Sequence, residues 1–396
     1  MIKKSHRILS TFGVLGFAIG FILILSFIGG KSKGPLEGIF SKASSLVSNM
    51  ESNHIVSQRK GKRADKLKWF AECRLNRDSL LKQKVILLGT FDNESKESFK
   101  NIIDFEDSLK TTFSLIHIYT AWGSKEEEKF PSIQVKAILE MGSIPVITWE
   151  PWLTDFSIED YPNLKKPEYR DKGGLADVAK GLYDPYIRQW ANDAKQFNSL
   201  IILRVGHEMN DPYRYPWGPQ NNKANDFIAA WKHIFNVFKA VGAINIIWVW
   251  SPHPAYGWFD AYYPGDKYVD YVGISALNYG TVASWSQWWT FDDIVGKPYH
   301  ELMKFNKPIM ITEFGSLSVG GDRSRWFSEA LKMLPWKYPG IKSIVFFHYS
   351  NDITTTQQPL NWYLKNDPQT ISAINKQLRI WPDSVKPRRT KQPDRK

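Results

Sequence analysis

The sequence predicts an α/β chain folded as a (β/α)8 TIM barrel, preceded by one N-terminal transmembrane helix. Three observations predict it. Eight short apolar runs recur between residues 85 and 348, with helix-period segments between many of them, as strands buried on both faces and alternating with helices require. Two of the runs end in a glutamate, Glu208 and Glu313, where a barrel strand presents side chains to its active face. An uncharged stretch from Ile8 to Gly30 follows Lys3, Lys4 and Arg7, and it is long enough to cross a bilayer as a helix.

The runs are Val85–Thr90, Phe113–Tyr119, Ile144–Trp149, Leu200–Val205, Ile244–Trp250, Tyr271–Ala276, Pro308–Thr312 and Ile341–His348. Helical patterns cover Asp184–Phe197, Asn225–Val241 and Ser324–Met333. A doubly wound open sheet is the competing fold. It is disfavoured because the first run ends Leu88-Gly89-Thr90-Phe91, with no G-x-G-x-x-G turn. Residues 150–199 are a long connection and read as an inserted loop on the active face.

Four segments follow. Residues 1–30 are a cytoplasmic basic stub and signal anchor, 31–68 a polar tether, 69–381 the catalytic barrel and 382–396 a disordered basic tail. Basic residues ahead of the span favour a cytoplasmic N-terminus and an extracytoplasmic barrel; secretion after signal cleavage is the alternative. The net charge of +12 belongs to the flanks: Lys and Arg exceed Asp and Glu by nine in 1–68 and by four in 382–396, leaving 69–381 within one charge of neutrality. That distribution argues against a nucleic-acid groove in the folded part and suits flanks that meet an anionic membrane surface. The single cysteine, Cys73, excludes an intrachain disulfide framework and a Cys-based metal site.

Two acids on two strands suit glycoside hydrolysis, in which one carboxyl group stays protonated and the other ionised. The structural alternative is a pair of carboxylates satisfied by Arg or by helix N-termini. Arg204 shares strand parity with Glu208, so its guanidinium either points into the barrel beneath the site or only neutralises buried acids. A zinc helix would need a second His four residues after His207, where Asp211 stands, so no metal is expected, and two carboxylates with water need no cofactor. The 17 Trp residues suit sugar stacking or plain core packing. Trp217 is the expected platform, and Trp149, Trp152, Trp250 and His348 are further binding candidates at strand ends.

The motif Arg204-x-Gly206-His207-Glu208-Met209-Asn210, followed by Tyr215-Pro216-Trp217-Gly218, resembles the acid/base motif of glycoside hydrolase family 26. Lys307-Pro308-x-x-Ile311-Thr312-Glu313-Phe314-Gly315 resembles that family's nucleophile strand. Thr148-Trp149-Glu150-Pro151-Trp152, Trp248-Val249-Trp250-Ser251-Pro252 and Asn278-Tyr279-Gly280 add to the likeness. The resemblance implies a retaining β-glycanase with Glu208 as acid/base and Glu313 as nucleophile. It also implies that Tyr279 hydrogen-bonds the nucleophile and that His207 contacts the sugar beside the scissile bond; Asn210 is expected to orient sugar or acid. β-1,4-Mannan is the first substrate expected, with mixed-linkage β-1,3-1,4-glucan, other β-glucan or β-1,3-xylan as alternatives. A non-catalytic polysaccharide-binding protein is the reading from another class. The anchor suggests association with polysaccharide synthesis or export machinery. One departure stands out: Asp211-Pro212-Tyr213-Arg214 replaces the Gly, acid and aromatic common after this motif in mannanases, which bears on substrate rather than mechanism.

Overall fold

The computed structural model describes residues 62–94, 99–356 and 358–387. Eight parallel strands close into a barrel in sequence order: β1 (Leu87–Asp92), β2 (Leu115–Ala121), β3 (Ile144–Glu150), β4 (Ile201–Val205), β5 (Ile246–Trp250), β6 (Tyr271–Asn278), β7 (Ile309–Ser316) and β8 (Ile341–His348). Closure is made by β1 on β8, in register from Leu87 opposite Ser343 to Asp92 opposite His348. Every expected run therefore overlaps a strand, and five of the strands extend one to four residues further. The helices positioned around the barrel among the described residues include α1 (Arg77–Lys82), α2 (Lys100–Leu109), α3 (Ser132–Glu140), α4 (Gly174–Ala179), α5 (Asp184–Lys195), α6 (Ala224–Val241), α7 (Phe259–Tyr262), α8 (Phe291–Leu302), α9 (Arg323–Lys337) and α10 (Pro368–Ile380). Several begin where a short polar side chain satisfies a free backbone N–H: Thr290 accepts from Asp293, Asp322 from Arg325 and Asp367 from Thr370.

Strand parity divides the core. Outward residues such as Ile147, Trp149, Leu203, Trp248 and Phe314 pack with the helices, whereas Val146, Ile202, Ile247, Val249 and Met310 form a separate cluster with Leu67, Phe70 and Leu80. The segment carrying α1 is tied to the N-terminal ends of the strands: Leu200 N–H donates to Arg74 O at 2.8 Å and Arg77 donates to Ile246 O at 2.9 Å. The opposite face is left for the site.

Both edges of the folded part differ from expectation. Arg63, placed in the tether, is buried, and its guanidinium donates to Met141 O, Ser143 Oγ and Glu106. A buried charge needs such partners, so the fold begins before residue 68. Val385, placed in the disordered tail, accepts the Ile86 N–H at 2.7 Å. The stretch read as a transmembrane anchor lies outside the described residues. Among those described, no helix is long and apolar enough to cross a membrane.

Candidate active site

Glu208 sits just past β4, where the chain turns sharply. Gly206 and Glu208 both adopt left-handed backbone conformations, with φ of 49° and 53°. Glycine tolerates this freely, whereas a glutamate holds it only when its surroundings over-determine it. The determinants are bonds from Gly206 N–H to Trp149 O at 3.0 Å, Glu208 N–H to Ser251 O at 2.7 Å and Asp211 N–H to Glu208 O at 2.9 Å. Glu208 Oε1 then accepts from Ser275 Oγ at 2.9 Å, while the buried Oε2 has no hydrogen-bond partner among the described residues.

Glu313 reaches the same interior through a bulge. Ile274 pairs with Ile311 but Ser275 with Glu313, so Thr312 is an extra residue in β7. Strict alternation from the inward Met310 would send Glu313 outward; the bulge turns it in and sends Phe314 into the helix layer. Glu313 Oε1 accepts from Arg204 Nη1 at 2.6 Å and from Tyr119 Oη at 2.8 Å. Arg204 also donates from Nη2 to Ser275 Oγ at 3.4 Å. One hydrogen-bonded path therefore links the carboxylates: Glu208, Ser275, Arg204, Glu313.

Electrostatics separate the groups. Burial works against the Arg204 charge, but Glu313, Tyr119 and Glu208 outweigh it and push its pKa up. Burial would raise the Glu208 carboxyl, yet His253, Arg214, Arg204 and the Ser275 hydroxyl together hold it below the ordinary glutamate range. His207 is pushed well down by burial, with Arg204 and Arg214 adding to it, so it is neutral and shares a 2.9 Å bond with the Tyr215 hydroxyl. Glu150 at the end of β3 is pushed up to about 7, chiefly by burial, against the pull of the Trp152 indole. That indole donates to Glu150 Oε2 at 3.1 Å, and His207 Nε2 lies 3.9 Å from Oε1.

Of the residues expected from sequence, Glu313, His207, Trp152 and Tyr279 line one cavity of about 500 Å³, and Glu208 and Tyr279 line a neighbouring one of about 420 Å³. Arg204 lies beneath both carboxylates. Asn210 instead clamps the loop after β5, donating to His253 O and Gly257 O and accepting from His253 N–H at 2.7–3.0 Å. Trp217 is 2% exposed, stacks on Tyr215 with ring centroids 4.6 Å apart and donates to His207 O; it supports the site from behind. Trp149, Trp250 and His348 point away from the barrel interior. Trp149 packs on Trp122 and Trp190, Trp250 on Tyr263 and Phe305, and His348 between Phe105 and Tyr363. Parity explains all three, since their strand neighbours Glu150, Val249 and Phe347 face inward. The phenol bonded to Glu313 is Tyr119, not Tyr279, which accepts from Thr355 Oγ1 at 3.1 Å.

Tyr119, Ser275, Glu150 and Arg214 were not among the expected site residues. Tyr119 was legible in principle, because it shares parity with His117 on an expected strand. Among the described residues, Glu208, Asp211 and His253 bring potential metal-ligating atoms within 4.8 Å of one another. His253 Nδ1 accepts from Ala255 N–H at 3.1 Å, so the lone pair on that ring nitrogen is already engaged.

Residues 136–344 match glycosyl hydrolase family 26. The chain belongs to that family. It is 32% identical over 300 residues to endoglucanase H of Acetivibrio thermocellus, covering 74% of this chain and 30% of that protein. It is 28% identical over 160 residues to a mannan endo-1,4-beta-mannosidase of Bacillus subtilis, covering 38% of this chain and 39% of that protein. The chain thus spans less than half the length of these curated relatives. The structure of Bacillus subtilis mannanase man26 superposes with a TM-score of 0.54 at 18% identity, over 78% of this chain and 88% of that one. That likeness supports the barrel. Family 26 membership agrees with the motifs around Glu208 and Glu313.

Proposed function

We propose that the barrel is a retaining endo-β-glycanase, with Glu208 as acid/base and Glu313 as nucleophile. The observation that carries this reading is the Arg204 guanidinium bonded to Glu313 from below while Ser275 binds Glu208. A nucleophilic carboxylate needs a fixed counter-charge and a positioned donor, and Arg204 and Tyr119 supply both to Glu313. Glu313 attacks the anomeric carbon while Glu208, which must first take up a proton against the pull of His253, Arg214 and Arg204, donates it to the leaving oxygen. Water, deprotonated by Glu208, then releases the sugar from Glu313.

β-1,4-Mannan is the first substrate proposed, from the motif resemblance. β-Glucan is the second reading, favoured because the endoglucanase likeness extends over 74% of the chain against 38% for the mannosidase. A neutral polymer suits a domain whose charge nearly cancels. Reducing-sugar release from mannan, glucomannan, mixed-linkage glucan, cellulose and β-1,3-xylan tests both, with Glu313→Ala as control. Activity on one polymer that vanishes in the variant supports the reading; binding without turnover in affinity gels would support the binding-protein alternative.

The run Ile8 to Gly30 further supports the proposal that the domain is tethered outside the membrane, near machinery that makes or exports its polymer. Fractionation tests it: release of the full-length chain without detergent counts against the tether.

A further inference from the structure

The two carboxylates open into different cavities. Glu313 shares the larger with Glu150, Trp152 and His207, and Glu208 shares the other with His253, Ser275 and Trp285. The residues common to both walls are Arg214, Leu277 and Tyr279. Any glycosidic bond cleaved between Glu208 and Glu313 has one sugar on each side of that wall.

The wall is a line of hydrogen bonds from three loops. Arg214, after β4, donates from Nη2 to Thr354 Oγ1, after β8, at 2.8 Å. Strands β4 and β8 are opposite one another in an eight-strand ring, so this bond spans the mouth. The next residue, Thr355, donates to Tyr279 at 3.1 Å. Thr354 is anchored: its N–H and hydroxyl both donate to Asp352 Oδ1, at 2.9 and 2.6 Å, and Asp352 pairs with Leu360 through two backbone bonds. Arg214 has the longer side chain of the pair. Its side chain is 27% exposed, its guanidinium lies 5.1 Å from the Tyr215 ring centroid, and Nη1 is 3.9 Å from Glu208 Oε2.

We infer that Arg214 is a specificity-determining gate at the cleavage point, latched to Thr354 in the free enzyme and displaced when a chain crosses from one cavity to the other. Once released, the guanidinium presents its fork of donors to the hydroxyls of the sugars flanking the bond. A neutral, hydroxyl-rich chain fits this role, because its oxygens replace the Thr354 acceptor. The inference rests on the glycanase reading of the site.

The test compares wild type with Thr354→Val, Thr354→Ser and Arg214→Ala on the polymer that the wild type cleaves. Inhibition by the disaccharide product, a ligand small enough for one cavity, is measured alongside. Removing the latch in Thr354→Val should lower the polymer KM about three- to tenfold, the range of one lost hydrogen bond. The disaccharide inhibition constant should move less than twofold. Thr354→Ser keeps the hydroxyl and should behave as wild type. Arg214→Ala should lose tenfold or more in kcat/KM, because the sugar contact goes with the latch. A Thr354→Val enzyme that melts like wild type and has an unchanged or raised polymer KM would overturn the inference. Should Thr354→Val melt early, Arg214→Ala decides alone, and an unchanged kcat/KM there overturns it. Wild-type silence on every polymer would instead remove the glycanase reading beneath it.

Discussion

Arg204 donates to Glu313 across the barrel interior at 2.6 Å, from β4 to a bulge in β7, with the guanidinium fully buried. The pair joins the strand that leads to one carboxylate to the strand that bears the other. Removing one member of a buried ion pair leaves an uncompensated charge. Arg204→Met is therefore expected to destabilise the fold by about 3–5 kcal/mol and to abolish turnover. Denaturant unfolding at constant pH measures the first effect. A loss below about 1 kcal/mol would show that Glu313 finds another partner.

Glu208 and Glu313 are expected to fail in different ways. Glu313→Ala removes the bond-forming group and should cost at least about 6 kcal/mol of barrier, roughly 10⁴-fold, on every substrate. Glu208→Ala should be as poor on polysaccharide but recover much of its glycosylation rate on an aryl glycoside whose leaving group needs no proton. Equal losses on both substrate types would argue against the acid role.

Tyr119 and Tyr279 separate by their bonds. Tyr119→Phe deletes a donor to Glu313 and is expected to lower kcat by about 10–100-fold with little change in KM. Tyr279→Phe deletes the bond from Thr355 and should act mainly on KM. Steady-state kinetics on one polymer read both, and the reverse pattern would restore the assignment that the motif resemblance implied.

Glu150 makes stability pH-dependent. Its folded pKa of about 7 lies above its ordinary value, so the folded chain prefers the neutral acid. Its contribution is fully present below about pH 4.5 and is lost as pH rises through 7, a change of about 3 kcal/mol. Glu150→Gln mimics the neutral form and should be more stable than wild type at pH 8 but equal at pH 4. Unfolding curves that stay parallel across that range would contradict the assignment.

Trp149 and Trp152 test the two faces of β3. Trp149→Ala should cost about 3–5 kcal/mol through the cavity it leaves among Trp122, Trp190 and Tyr186, with KM unchanged in the folded fraction. Trp152→Ala should raise KM several-fold, because Trp152 lines the Glu313 cavity. A thermal melt and a KM measurement on each variant distinguish these outcomes.

By itself the sequence determined the barrel, the approximate strand positions and the two candidate carboxylates, because buried parallel strands need continuous apolar runs; Glu208 lies just past β4, whereas Glu313 lies within β7, which runs on to Ser316. Strand parity put Arg204 on the side of Glu208 but left open whether it lies beneath the site or only neutralises buried acids. Tertiary structure decided the rest. The Thr312 bulge turns Glu313 inward, and it depends on pairing with β6 and β8 that no local pattern records. Tyr119 meets Glu313, and Arg214 meets Thr354, only because closure brings residues 194 and 140 positions apart into contact. Which tryptophans touch the cleft was equally hidden: an aromatic at a strand end gains as much by packing on helices as by facing sugar, and only the face it occupies tells the two apart.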